Sequence, residues 1–226
     1  MKMKQIIFIL GIFIFLVMLL CGCNDKEDEI NRLVQEYRES KLSMYEKENA
    51  MYDDYEVDVA FLGDSLTDGY DLKKHYPDFL VVNRGIGGDT TFGLEERIDV
   101  SLYDLKPKIA VMLIGANNMD TMFENYEELL KGFKENVPNT KIVLLSLTSM
   151  SGEWGRKNQL ASYNNVKIKL LAKEYGFEYI DLYSSLFNIE AGEIYAEYTT
   201  DGGHLTELGY EVLTQQITPV IEKLLN

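Results

Sequence analysis

Five apolar runs of strand length recur between residues 57 and 183, and helical patterns separate them. They are VDVAFLG (57–63), FLVVNRG (79–85), IAVMLIG (109–115), KIVLLSL (141–147) and FEYIDLY (177–183). The central three are nearly continuous in Val, Ile, Leu and Met. Continuous runs of this kind belong to strands hidden on both faces, the condition of a parallel sheet covered by helices. Between the runs, 92–104 and 121–136 carry moderate helical patterning. Leu160, Tyr163, Val166 and Leu170 repeat every three or four residues. The final stretch carries Leu208, Val212, Leu213, Ile217, Ile221 and Leu224. Alternation of β and α at this spacing predicts a three-layer α/β/α sandwich with right-handed crossovers around a five-stranded parallel sheet.

The segment before residue 57 is of another kind. It opens MKMKQIIFILGIFIFLVMLLCGC, two lysines followed by an unbroken apolar run from Ile6 to Leu20. The run is short for a membrane span and suits the core of a signal peptide. The following Leu-Cys-Gly-Cys resembles a bacterial lipobox. Cys23, preceded by the small Gly22, is the better lipidation candidate than Cys21, which follows Leu20. The competing reading is an uncleaved signal anchor. On the lipoprotein reading, residues 1–22 are removed and the protein is lipid-anchored to the cell membrane, facing the extracytoplasmic side. Both cysteines lie here, so the mature domain is expected to hold no disulfide and no cysteine-based metal site. Removal of Lys2 and Lys4 takes the formal charge from −15 to −17. So acidic a chain, with no basic cluster, is a poor partner for nucleic acid.

Residues 23–56 are dense in charge and, from Asn24, free of glycine and proline. Ile30, Leu33, Val34 and Tyr37 recur at helical spacing, so a partly helical tether is expected, reaching about 50 Å as helix and about 110 Å extended. The remaining residues, 57–226, form the candidate catalytic domain. No protein partner can be named from the sequence.

In open parallel sheets ligands gather beyond the carboxyl ends of the strands. The first run ends in Gly63-Asp64-Ser65, the second in NRGIGGDT, the third in GANNMD and the fourth in SLTSMSGEWG, while TTDGGHLTELGY precedes the last helix. Glycines, amides and carboxylates crowd one sheet edge. Ser65 is either a helix cap or a nucleophile, and a nucleophilic serine needs a base with its own orienting acceptor. The chain has two histidines. His75 reads as a surface loop residue. His204 stands three residues after Asp201, which can hold one ring nitrogen and leave the other for Ser65. The competing reading is a helix-entry histidine with Asp201 as cap. Gly85, Gly87 and Gly88 offer backbone N–H groups, and Asn117 or Asn118 a side-chain amide, to an oxyanion. A dinucleotide loop fails on spacing because Thr90 occupies the place of its third glycine. No metal-binding motif is present.

Four segments in order, GDSLT, NRGIGGDT, GANN and DGGHLT, resemble the SGNH/GDSL hydrolase superfamily, and together they span residues 63–206. The resemblance implies a flavodoxin-like fold, Ser65 as nucleophile, His204 as general base and then acid, and Asp201 as its orienting group. It implies an oxyanion hole from the Ser65 N–H, the Gly88 N–H and the Asn117 side chain, with Gly85 as the alternative to Gly88. Asn118 replaces an aspartate common in the family and is read as fixing its loop; Asp64 is read as holding the Ser65 turn. Trp154 flanks the expected pocket, either as a substrate platform or as packing. The implied activity is hydrolysis of an ester, from a glycan or a small molecule, with no cofactor and no metal. The alternative is a binding lipoprotein on an esterase-like scaffold.

Overall fold

The computed structural model describes residues 24–226, with side chains from Asp28 onward. The expected signal peptide and the lipidation candidate Cys23 lie outside the described residues. Two units are distinguished, one up to Glu48 and one from Asn49 to Asn226. Among the described residues the first is made of helix α1 (Asn24–Asn49) up to Glu48; the helix is about 39 Å long at 1.5 Å per residue. Side chains four apart support it. Gln35 donates to Glu39, Arg32 pairs with Glu36, and the Lys41 ammonium lies near the rings of Tyr37 and Tyr45. No helix among the described residues is long and apolar enough to cross a membrane.

The second unit contains a sheet of five parallel strands, β1 (Val59–Gly63), β2 (Val81–Gly85), β3 (Ile109–Leu113), β4 (Lys141–Leu145) and β5 (Glu178–Ile180). Their order is β2-β1-β3-β4-β5. A short antiparallel pair, Phe187–Asn188 with Glu193–Ile194, lies apart from it and was not foreseen. Around the sheet run α2 (Ser65–Asp68), α3 (Leu72–His75), α4 (Thr91–Glu96), α5 (Tyr126–Asn136), α6 (Gly152–Gly155), α7 (Asn158–Tyr175), α8 (Leu182–Leu186) and α9 (Glu207–Leu225).

Strand side chains alternate between two cores, which is why β1 and β3 are apolar on both faces. Leu62, Ala110, Met112, Ile142 and Leu144 face Leu94, Leu130, Phe133 and Ile168 of α4, α5 and α7. Phe61, Val111, Leu113, Val143 and Leu145 face Leu66, Leu72, Leu182, Leu213 and Ile217 of α2, α3, α8 and α9. The three-layer sandwich follows.

The inward face of α7 differs from expectation. Tyr163, Val166 and Leu170 are 72%, 60% and 61% exposed, while Ala161, Asn164, Asn165, Ile168 and Leu171 are buried. Asparagine clamps decide the orientation. Asn165 accepts from Leu147 N–H at 2.8 Å and donates to its carbonyl at 3.0 Å. Asn158 does the same for Met150, and Asn164 donates to the Met119 carbonyl. Buried amides that satisfy loop backbone outweigh an apolar stripe of moderate size.

Candidate active site

The order β2-β1-β3 puts the topological switch point of the sheet between β1 and β3, where a crevice opens at the carboxyl ends. Gly63 pairs level with Gly85 on one side and Leu113 on the other. The loops after β1, β2 and β3 therefore leave the sheet at one height.

Ser65 is the first residue of α2. Asp64 caps this single turn, its Oδ1 accepting from Leu66 N–H at 3.1 Å. The turn lies hard against the strands: a Cβ at Gly63 would stand 2.2 Å from Thr67 Oγ1 and 2.3 Å from the Leu113 carbonyl oxygen. As the first helical residue Ser65 has an N–H without an intrahelical acceptor. Asp64 Oδ2 is buried without a hydrogen-bond partner. Burial, aided by the Asp89 charge, pushes the Asp64 carboxyl up to about 7.

Residues 199–206 bring a histidine to that serine. His204 Nε2 is 3.1 Å from Ser65 Oγ, and Nδ1 is 2.7 Å from Asp201 Oδ2. Asp201 Oδ1 accepts from the main-chain N–H groups of Gly203 and His204 at 2.9 and 2.7 Å. Burial raises the Asp201 carboxyl, but the bonds from His204 and Gly203 outweigh it and leave it below the usual carboxylate range. The His204 carbonyl accepts from Thr199 Oγ1 and Thr200 N–H, and Ser151 N–H donates to the Gly202 carbonyl. The cap of α9 is Thr206, whose Oγ1 accepts from Gly209 N–H, so Asp201 is not its cap. Both side chains of the pair remain partly open to solvent, His204 at 42% and Asp201 at 46%.

The glycine loop after β2 separates its three candidates. Gly85 N–H donates to Asn83 Oδ1 at 2.8 Å and Gly87 N–H to Asp68 Oδ2 at 3.0 Å. Gly88 N–H has no hydrogen-bond partner among the described residues. Gly88 is exposed, with φ +79°, a conformation suited to glycine. Asn117 donates from Nδ2 to the Asp89 carbonyl at 2.8 Å. An amide nitrogen carries two N–H groups, so one remains for a ligand. Asn118 ties its loop to α4, accepting from Thr91 N–H at 3.2 Å and donating to Thr91 Oγ1 at 2.9 Å. The Trp154 indole lies against the histidine loop, its Nε1 standing 3.0 Å from where a Cβ on Gly203 would be, and Lys157 Nζ is 5.5 Å from its ring.

His75 is not the surface loop residue expected. Its side chain is 6% exposed, with Nδ1 2.9 Å from Thr214 Oγ1 and Nε2 3.1 Å from Glu207 Oε1. It closes α3, whose apolar Leu72 turns the helix inward beside Tyr70 and Tyr210. Tyr210 in turn donates to the Leu66 carbonyl beside Ser65 at 2.9 Å. Lys74 also bonds Glu207. The sequence reading missed Asp89 and Arg97 as well; their carboxylate and guanidinium are paired at 2.7 Å with almost no exposure. The aspartate in GGDT was the one available signal. Among the described residues no cluster of His, Cys, Asp or Glu could hold a metal ion.

A serine, a histidine and an aspartate bonded in series beyond the carboxyl ends of a parallel sheet is the arrangement by which serine hydrolases are recognised. The comparisons with known proteins narrow that class. A model of the GDSL-like lipase/acylhydrolase family matches residues 61–212, and the chain belongs to this family, within the SGNH/GDSL hydrolase superfamily. Its members are hydrolases acting on esters. Among solved structures, the chain is similar to a Streptococcus pneumonia protein provisionally described as a platelet activating factor. They share 23% identity over 88% of this chain and 100% of that one, with a TM-score of 0.75. A GDSL-like lipase of Bacteroides thetaiotaomicron is 26% identical over 80% and 97%, with a TM-score of 0.68. The acetylxylan esterase Axe2 of Geobacillus stearothermophilus is 21% identical over 74% and 95%, with a TM-score of 0.61. No curated protein matches the sequence.

Proposed function

We propose that the protein is a lipid-anchored serine esterase that cleaves its substrate through an acyl-enzyme on Ser65. The observation that carries this reading is the unbroken chain Ser65 Oγ, His204 ring, Asp201 carboxylate at 3.1 and 2.7 Å. Ser65 Oγ attacks the ester carbonyl while His204 Nε2 takes its proton. Asp201 holds Nδ1–H and balances the imidazolium. The carbonyl oxygen becomes an oxyanion facing the N–H groups of Ser65 and Gly88 and the second amide N–H of Asn117. The tetrahedral intermediate collapses, and His204 returns the proton to the departing alkoxide. Water then enters, gives a proton to His204 and attacks the acyl carbonyl; the bond to Ser65 Oγ breaks, the acid leaves, and His204 returns the proton to Oγ. Ser65 and His204 exchange every proton while Asp201 balances the charge, so the scheme calls for no metal and no cofactor.

The substrate in this proposal is an acetylated carbohydrate or a short-chain or lysophospholipid ester. Openness of the site favours the first: His204, Asp201 and Gly88 all reach solvent, which suits a small acyl group on a bulky alcohol. Trp154 would give a sugar ring an apolar face. Residues 1–22 would be removed and Cys23 lipidated, with the charged segment as a tether at the extracytoplasmic side of the cell membrane. A Cys23→Ala variant is expected in the soluble fraction or unprocessed, and unchanged fractionation would argue against the anchor.

The decisive measurement is labelling with a fluorophosphonate probe. Wild type is expected to be modified at Ser65, Ser65→Ala not at all, and His204→Ala only weakly. A folded wild type that takes no label and hydrolyses neither acetylated sugars nor p-nitrophenyl esters would leave the binding-lipoprotein reading in its place.

A further inference from the structure

Beneath the site lies a charged side chain that the scheme above does not use. Arg97 directly follows α4, and its side chain has no solvent exposure. A guanidinium has five N–H donors in a rigid planar fork. Here Nε donates to Asp89 Oδ2 at 2.7 Å. One terminal nitrogen donates to the Arg84 carbonyl and to Ser101 Oγ, both at 2.9 Å, and the other to the Gly63 carbonyl at 3.0 Å.

These acceptors are not scattered. Gly63 ends β1, two residues before Ser65, and Arg84 is the penultimate residue of β2. Asp89 follows Gly88, and its carbonyl oxygen anchors the Asn117 amide at 2.8 Å. Each of the three segments with a candidate oxyanion donor is thus tied to one buried cation, either directly or through one hydrogen bond. Removing a guanidinium from water is costly, and apolar packing would fill the same space without that cost. Apolar packing would not fix the angle between three pieces of main chain, whereas a planar fork does.

We infer that Arg97 is a positioning residue, which holds the ends of β1 and β2 and, through Asp89, the Asn117 amide at the spacing an oxyanion requires. It touches no substrate. The inference rests on the esterase reading and adds to it a group four bonds wide that sets donor geometry. A lysine at this place keeps the charge opposite Asp89 but offers a single nitrogen, which cannot reach Gly63, Arg84 and Asp89 together. Charge balance and geometry are therefore separable.

The experiment compares wild type, Arg97→Lys and Asp89→Asn by steady-state hydrolysis of p-nitrophenyl acetate, by inhibition with a boronic acid, and by circular dichroism. Arg97→Lys is expected to stay folded and lose about 10–100-fold in kcat, since displacement of a donor by about 1 Å is costly in rate. KM should stay within about threefold, and boronate affinity should fall in parallel with kcat/KM. Asp89→Asn keeps an acceptor for Nε and should lose about 3–10-fold in the same pattern. A folded Arg97→Lys with kcat within about twofold of wild type overturns the inference, as does a loss confined to KM. Loss of native structure in both variants overturns it too, because Arg97 would then serve stability alone. A wild type without turnover or label removes the esterase reading itself, an outcome visible before any variant is made.

Discussion

Asn117 and Asp89 are joined by a hydrogen bond from the side-chain amide of one to the main-chain carbonyl of the other, 2.8 Å long. A planar amide anchored through one N–H aims the second along a fixed line. An oxyanion exists only after the nucleophile has attacked, so this donor should act on the rate and not on binding. Asn117→Ala is expected to lower kcat about 10²–10³-fold with little change in KM. Steady-state kinetics on p-nitrophenyl acetate decides it, and a variant defective in KM alone would speak against the role.

Asp201 grips His204 at two points, through the main-chain N–H and through the ring. Its lowered pKa keeps it ionised at neutral pH. In Asp201→Asn an amide N–H can face Nδ1 and favour the tautomer with its proton on Nε2. That nitrogen then has no lone pair for the Ser65 proton. The loss in kcat should be about 10³–10⁴-fold, with the melting temperature nearly unchanged. Retention of a tenth or more of wild-type activity would show that the carboxylate does not set the tautomer.

Asp64 ties stability to pH. Burial first, then the Asp89 charge, push its carboxyl from the ordinary 3.8 to about 7. Between those values the folded chain holds a proton that the unfolded chain has released. Stability from this group is therefore full below pH 3.8, declines as pH rises, and is lost above about pH 7. Asp64→Asn keeps an acceptor for Leu66 N–H and cannot ionise. Urea unfolding should find it more stable than wild type at about pH 8, by up to a few kcal/mol, and equal to it at about pH 4. An identical difference at both values would refute the buried titration.

The orientation of α7 makes a paired prediction. Ile168 is fully buried and Leu170 is 61% exposed. Ile168→Ala should cost about 2–5 kcal/mol, and Leu170→Ala no more than about 0.5 kcal/mol. Urea melts of the two proteins would reverse that ranking if the apolar stripe faced the sheet.

The sheet was readable because β1, β3 and, beyond the exposed Lys141, β4 are hidden on both faces, where apolar residues are kept. Ser65, Asp201 and His204 were readable because a nucleophile needs a base, and two histidines left a short search. The inward face of α7 was not, since it depends on Asn158, Asn164 and Asn165. A buried asparagine looks in sequence like an exposed one until its backbone partners are known. Arg97 and Asp89 escaped notice for the same reason. Their eight-residue separation matches no local rule, and a charged pair is ordinarily a surface feature. His75 was misjudged from its polar neighbours Lys73 and Lys74; Thr214 and Glu207, which enclose it, arrive from the far end of the chain.

The delivery of His204 just ahead of α9 also has a consequence in time. The serine stands at the end of the first strand, and its base is 139 residues further along the chain. Four crossovers must be completed before the two can meet. A growing or nicked chain ending before residue 204 would present the serine turn without the means to ionise it. Reactivity would thus be withheld from every intermediate that lacks the docked C-terminal segment, and a covalent probe of Ser65 would report the last step of assembly as much as the chemistry itself.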